Sequence, residues 1–417
     1  MRILLTSLGT RGDIEPFLAI GELLKEQGHE VICAFESEFE SLVIESRMEF
    51  LSLDGGISHA LLKDRLSHTL KEKFSLRKLG EYRRLYLDGL AYSRALVYRQ
   101  SQVISEVKPD KVIYSGLTNY PVIWSMDHPG KAILLLPVPF LYHYVQNHSF
   151  LLFRTDFGPM INKWTYRFAH YLISQGIALS ARKSNIGEKT NASKIRKFLK
   201  RNKTIYTISR ALFPQPDYWE DHSKVLGFYQ RTRRSTWYPD QKLLDFLIAH
   251  EKIVFVTFGS MINRNPEKVT RIFMDIFTKY NIPVIFNTFS GGLIAPSDYD
   301  HTQFLFVSSI PYDYIFRHIH SVIHHGGSGT THNGLKWGCP TLIIPHIFDQ
   351  FVWNDLIAER GIGPKGPSIH RFTCTAVESK ILDLYTNESY KERAVELARK
   401  MNEEDLKEEL CRFILEP

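Results

Sequence analysis

The stretch SVIHHGGSGTTHNGL, residues 321–335, decides the fold. SVIHH reads as a short buried strand, GGSG as a tight turn, and TTHNGLKWG as a helix. A helix that opens there turns its unpaired backbone N–H groups, and the positive end of its dipole, toward the turn. Glycines carry no Cβ, so an anion can come close to that main chain. The residues therefore imply phosphate chemistry. No lysine follows the turn, which excludes the P-loop, and the G-x-G-x-x-G spacing of the dinucleotide fingerprint is missing. Side chains alternate faces along a strand, so His324 and His325 point opposite ways. His324 then reads as a packing residue.

The next segment, PTLIIPHIFDQFVWNDLIAERGIG, sets Asp349 and Gln350 just past the end of the following strand. Ligands of open α/β sheets gather at those carboxyl ends. A carboxylate beside an amide suits the vicinal hydroxyls of a sugar. Phosphate on one loop and sugar on the next amount to a nucleotide sugar.

The surrounding chain alternates strand and helix. KIVFVTFGSM opens the unit that holds the turn, and PVIFNTF and FLFVSSI follow as strands. The same grammar appears near the start, where RILLTSL and VICAFE flank EPFLAIGELLKEQGHE. That helix is expected over 14–27, with Phe17, Ile20, Leu23 and Leu24 on one face, Pro16 in the first turn and Gly28 past the end. Such alternation predicts two doubly wound parallel sheets, each covered on both faces. The proline-bearing stretch FPQPDYWEDHSKVLGFYQRTRRSTWYPD shows little periodicity and reads as the connection. The expected divisions are a domain over 1–225, a linker over 226–240, a second domain over 241–395, and a helical tail over 396–417 packing back on the first.

Of the 417 residues, 44% are hydrophobic and 23% charged, which fits a soluble globular chain rather than a disordered or fibrous one. Four cysteines without pair spacing argue against a disulfide framework and a zinc site, and favour a reducing, cytoplasmic setting. No apolar run reaches the 18 residues of a membrane span. The net charge of +7 lies in the first half, where residues 1–225 carry 31 Lys and Arg against 23 Asp and Glu. It concentrates over 63–99, interleaved with Phe74, Tyr82, Tyr86, Tyr92 and Tyr98, and over 163–203. Such a surface reads as a solvated helix face or as a peripheral contact with anionic membrane, with no nucleic-acid partner expected.

The run HHGGSGTT…GCPTLIIPHIFDQ…GIG resembles the donor-binding signature of the GT-B-fold UDP-glycosyltransferases. TSLGTRGDIEPFLAIGELLKEQGHEV resembles the first strand, loop and helix of their sterol-glucosyltransferase and glycopeptide-glycosyltransferase branch. The resemblance covers nearly the whole length and is weakest over 60–210. It implies two Rossmann-like domains facing a central cleft. It puts His325 on the donor diphosphate, with Gly327, Ser328, Gly329 and Thr330 around the phosphates and Gly259 and Ser260 close by. Asp349 and Gln350 would grip the transferred sugar, and Tyr314 would present its ring to the uracil. Asp13 matches the general base of the sterol branch and would take the acceptor's proton, with His325 as the second catalytic residue. Asp13 also reads as an N-cap of the following helix. Burial beside the acceptor would raise its pKa. No metal or other cofactor is expected, since the helix at Thr330 and His325 would stabilise the leaving diphosphate.

The implied activity is inverting transfer of a hexose from a UDP- or dTDP-sugar to a hydroxyl of a lipophilic acceptor, by a monomer. The apolar, aromatic stretch 132–157 is a candidate acceptor wall. Two alternatives remain: a nucleotide-sugar 2-epimerase on the same fold, and a non-catalytic nucleotide-sugar or membrane-surface binding protein. The Asp-x-Asp of SDYDH sits in a loop rich in turn residues and reads as a surface turn.

Overall fold

The computed structural model describes residues 1–54, 79–153, 155–184, 186, 190–232 and 237–416, and for 79–91 the backbone only. The basic stretch expected over 63–99 therefore lies largely outside the described side chains, which resume at Tyr92.

The first domain is built on β1 (Arg2–Thr6), α1 (Arg11–Glu26), β2 (Glu30–Phe35), α2 (Glu40–Glu45), β3 (Glu49–Ser52), α3 (Leu79–Val107), β4 (Lys111–Ser115), α4 (Tyr120–Ser125) and β5 (Ala132–Leu136). It continues through α5 (Pro159–Lys183), α6 (Ala192–Leu199), β6 (Lys203–Tyr206) and β7 (Ser223–Val225). All seven strands run parallel in the order β3-β2-β1-β4-β5-β6-β7. Alternation sorts β1 cleanly: Ile3 and Leu5 enter one core layer, with Phe17, Leu18 and Leu24 of α1, while Leu4 enters the other. The continuous apolar runs of β4 and β5 are those of strands buried on both faces.

The second domain carries α7 (Gln241–Ala249), β8 (Val254–Thr257), α8 (Pro266–Lys279), β9 (Val284–Asn287), β10 (Phe304–Val307), α9 (Tyr312–Ile315), β11 (Ser321–His324), α10 (Ser328–Lys336), β12 (Thr341–Ile343), α11 (Gln350–Glu359) and α12 (Cys374–Thr386). Its five strands are parallel in the order β10-β9-β8-β11-β12. Each sheet reverses its winding once, between β1 and β4 in the first and between β8 and β11 in the second. Such switch points open a crevice at the carboxyl ends of the strands. The loops after β1, β8 and β11 begin at these two crevices.

Two helices close the chain, α13 (Glu388–Glu403) and α14 (Lys407–Leu415). α13 lies against α10, so the division expected between 395 and 396 falls inside a continuous helix. The crossing point is the non-helical stretch before α14. α14 buries Leu410, Phe413 and Ile414 beside α1 in the first domain's core. Lys111 and Lys203 both donate to the carbonyl of Glu416, and Arg210 grips Glu409 through paired 2.9 Å bonds. One apolar cluster runs through both domains, joining Tyr206 and Leu212 to Leu335, Trp353 and Met401.

Candidate functional site

The turn after β11 is built around two imidazoles. His324 is fully buried and its Nδ1 accepts the Gly326 amide at 2.9 Å, which folds the turn. Gly326 has φ 96°, a left-handed conformation that favours glycine, and a Cβ there would press Ile343 and Gln350. His325 points the other way and lies between two glycines. A Cβ on Gly259 would meet its Cε1 at 2.8 Å, and one on Gly327 would meet its Nε2 at 2.6 Å. These glycines make room for the ring as well as for a ligand. His325 is 8% exposed and its Nδ1 has no partner. Burial, then the neighbouring His346, pushes its pKa down to about 3, so the ring is neutral at physiological pH.

α10 starts at Ser328, with Gly327 in the capping position. No side chain caps it and no acidic residue occupies its first turn. Its first amides have no acceptor within the helix. An uncapped helix end beside an orphaned, buried imidazole nitrogen is a site for an oxyanion. The interior of α10 is locked from behind: Thr331 donates to the Gly327 carbonyl at 2.9 Å, and the His332 Nδ1–H to that of Ser328 at 2.8 Å. The His332 Nε2 accepts the Ser209 amide at 3.3 Å from the first domain, and its ring stacks on Phe228 at 4.3 Å.

Asp349 and Gln350 begin α11, and they differ. The Gln350 carbonyl accepts the amides of His346 (2.7 Å) and Ile347 (3.1 Å), so it shapes its own loop. Only its amide nitrogen is left, 3.4 Å from the Met261 sulfur. Asp349 is partly exposed. Burial, and then the charge of Asp13, raises its carboxyl to about 7. Asp13 is therefore within electrostatic reach of Asp349, one carboxylate from each domain.

Asp13 sits in the first turn of α1 rather than before it. The helix is capped at Thr10 and starts at Arg11, so Asp13 is the third helical residue and not the N-cap, and Pro16 falls in the second turn. A reciprocal capping box sets this start. The Asp13 Oδ2 accepts from the Thr10 amide at 2.8 Å and the Thr10 hydroxyl at 3.0 Å. Gly9, at φ 124°, lies so close that a Cβ would stand 2.5 Å from that oxygen.

Tyr314 packs its ring against Trp237 and His318, at 4.9 and 4.8 Å. Two residues earlier, Tyr312 sends its hydroxyl to within 3.2 Å of the Thr257 hydroxyl, at the end of β8 beside Gly259. Ser260 is exposed next to it. The structure thus gathers Gly259, Ser260, His325, Gly327, Ser328, Gly329 and Thr330 at one crevice, with Asp349 within electrostatic reach of Asp13, and sets Tyr314 on the linker side.

Two features carried no signal in the chain's patterning. His346 holds the Asp349 loop by its contacts with the Ile344 carbonyl (2.9 Å) and Asn263 (2.8 Å). Phe348, beside Asp349, is exposed and held at φ 34°. A non-glycine residue there is a strained backbone that the loop must over-determine. Asp300 of SDYDH accepts from the Thr302 amide and hydroxyl, the geometry of a local turn. Among the described residues no three His, Cys, Asp or Glu cluster as metal ligands.

Comparison with known proteins agrees with the two-domain fold. Residues 3–107 match the glycosyltransferase family 28 N-terminal domain, and 303–416 match the erythromycin biosynthesis protein CIII-like C-terminal domain. A sterol 3-beta-glucosyltransferase of Arabidopsis thaliana, UGT80A2, is 28% identical over 97% of this chain and 64% of its own length. One of Saccharomyces cerevisiae is 24% identical over 96% of this chain and 34% of its own. The chain spans between a quarter and two thirds of the length of the curated relatives it matches. Among solved structures, the calicheamicin glycosyltransferase CalG4 superposes with a TM-score of 0.69 at 15% identity, covering 100% of this chain and 99% of its own. The glycosyltransferase VinC, solved in complex with dTDP, superposes at 0.64 and 16% identity, covering 99% of this chain and 98% of its own.

Proposed function

We propose that this chain, which has the GT-B fold and matches glycosyltransferase domain models at both ends, transfers a hexose from a UDP-sugar to a hydroxyl of a lipophilic acceptor, with inversion and without a metal. The observation that carries this reading is the uncapped start of α10 beside the unpartnered Nδ1 of His325. The donor diphosphate lies on the amides of Ser328, Gly329 and Thr330, and neutral His325 gives it a hydrogen bond. Asp349 holds the sugar hydroxyls, with help from the Gln350 amide nitrogen. Asp13 takes the acceptor's proton while the acceptor oxygen forms its bond to the anomeric carbon. The bond from that carbon to the diphosphate oxygen breaks, and the helix end stabilises the charge that leaves with it. The matched relatives named as sterol 3-beta-glucosyltransferases favour glucose as the sugar and a sterol or similar lipid as the acceptor. A cytoplasmic enzyme in peripheral contact with anionic membrane completes the reading.

The test is incubation with UDP-glucose or dTDP-glucose and a panel of sterols and other lipophilic alcohols, read by mass spectrometry. A β-glucoside formed from one donor supports the reading. Interconversion of the UDP-sugar in buffer alone would instead make the protein an epimerase. Thermal stabilisation by UDP with no product from any acceptor would make it a binding protein.

A further inference from the structure

α5 is apolar on both of its faces. The inner one packs Tyr166, Ala169, Ile177 and Ala181 into the first domain. The outer one carries Met160, Ile161, Trp164, Phe168, Leu172 and Leu179, all exposed, with Met160 at 77% and Trp164 at 62%. At 100° per residue these six share one stripe along a helix about 37 Å long. A surface helix ordinarily turns one apolar stripe to the core, and soluble surfaces rarely leave a second one this long bare.

The charge around the stripe says what covers it. Residues 158–203 carry eleven Lys and Arg against a single Glu. Arg167 stands 5.3 Å over the Trp164 ring and Arg196, from α6, 5.7 Å over that of Tyr171. Cations beside an aromatic and aliphatic ridge are the pattern of a helix lying in a bilayer interface, with its basic flank on anionic headgroups. No described helix is long and apolar enough to cross a membrane, so the element lies on the bilayer rather than through it. The early part of α5 is tied to the loop that follows β5: Tyr144 donates to the Pro159 carbonyl at 3.0 Å, and His170 Nε2 lies 2.8 Å from the Tyr142 carbonyl. That loop leaves the carboxyl edge of the sheet, the edge that also carries Asp13.

We infer that the outer face of α5 docks the protein on anionic phospholipid, with Met160, Trp164 and Phe168 in the interface and Lys163, Arg167 and Arg196 on the headgroups. The inference rests on the proposed activity for its purpose, since a bilayer-held acceptor would then enter beside Asp13. Its physics does not depend on that activity.

Co-sedimentation with vesicles of phosphatidylcholine, with and without phosphatidylglycerol, tests it in the absence of donor and acceptor. The wild type pellets with the anionic vesicles, and a Met160→Ser, Trp164→Ser, Phe168→Ser triple variant loses about tenfold or more of that binding while its UDP affinity is unchanged. Bromine-labelled acyl chains quench part of the wild type's tryptophan fluorescence, and that quenching disappears in Trp164→Phe, a variant that keeps the apolar ridge. Equal binding by wild type and triple variant overturns the proposal. So does equal binding to neutral and anionic vesicles, or a wild-type dimer that the triple variant converts to monomer, since a second copy would then be what covers the ridge. Absence of glycosyl transfer, by contrast, leaves the vesicle result standing.

Discussion

The two domains begin their crevices with the same device and use it in opposite senses. After β1 the chain turns through Gly9 into α1, and after β11 it turns through Gly326 and Gly327 into α10. Both are strand-to-helix turns at a switch point of a parallel sheet. The first closes on itself. Asp13 reaches back to Thr10 and satisfies the helix end, and in doing so its carboxylate is held at the cleft. The second is left open, without a side-chain cap and with His325 unpaired. One turn therefore displays a negative oxygen and the other displays amide hydrogens. A proton acceptor and an anion site arise from one motif because a single position, the third helical residue, is an aspartate in one and a threonine, Thr330, in the other.

The largest expected effect comes from neutralising the first turn. Asp13→Asn keeps an oxygen that can accept from Thr10, so α1 stays capped. The proton acceptor is lost, and turnover falls by about 10²–10⁴-fold. Titration calorimetry with UDP should give the wild-type affinity, because the second turn is untouched. Turnover near the wild-type rate would remove Asp13 from the chemistry and leave it a cap.

The mirror experiment fills each turn with one methyl group. At Gly327→Ala the new Cβ falls 2.6 Å from the His325 Nε2, so the ring must move. UDP affinity should drop by about ten- to a hundredfold, the scale of a lost hydrogen bond to a charged group. At Gly9→Ala the Cβ falls 2.5 Å from the Asp13 oxygen and the residue is held at φ 124°. This variant loses turnover and about 1–3 kcal/mol of stability but still binds UDP. If both variants lost UDP binding equally, the division of labour between the turns would fail.

How much of this was legible follows from what each feature depends on. The strand-turn-helix at 321–335 was readable because glycine spacing and apolar runs are local. So were the two parallel sheets. That Asp13 and Asp349 would share a cleft followed only from the two facing domains the resemblance implies, since nothing within either segment points at the other. The start of α1 was misjudged because Asp13 and Thr10 are both good capping residues, and only the reciprocal bonds decide between them. Tyr314 was given the ring position from resemblance; that its ring also packs on Trp237, 77 residues earlier on the linker, is a contact no local pattern announces. The Gln350 carbonyl is spent on its own loop, which no pattern announces. The outer face of α5 escaped for the same reason: an apolar residue in sequence does not say whether its neighbours are protein.

Asp349 is where the two turns meet, and it carries a smaller, measurable effect. Its folded pKa, about 7, stands above the unfolded value, so ionising it costs stability as pH rises through that range. Asp349→Asn removes the cost. The variant should be more stable than wild type above pH 7, by about 1–3 kcal/mol, equal to it below pH 4, and poor at transfer. The same variant tested with Asp13→Asn should gain less, because part of the cost comes from the Asp13 charge. Full additivity of the two would mean that the carboxylates do not sense one another.

The last contrast concerns acid. The second turn rests on neutral imidazoles, and burial has lowered them all: His325 to about 3, and His332 and His346 to about 4. An unfolded histidine titrates near 6.5. Their contribution is thus complete above the unfolded pKa and is lost as pH falls from about 6.5 toward 4, where the unfolded chain binds more protons. Each such group adds up to about 1.4 kcal/mol per pH unit in that window. The melting temperature should therefore be lower at pH 5 than at pH 7.5, by about 4–8 °C or more. His332→Gln isolates one member, since an amide can still donate to the Ser328 carbonyl and accept the Ser209 amide without taking up a proton. That variant should lose part of the acid slope while keeping its stability at pH 7.5. An unchanged slope would mean that the contact between α10 and the first domain opens before His332 titrates, and the acid response would then belong to the interface rather than to the turn.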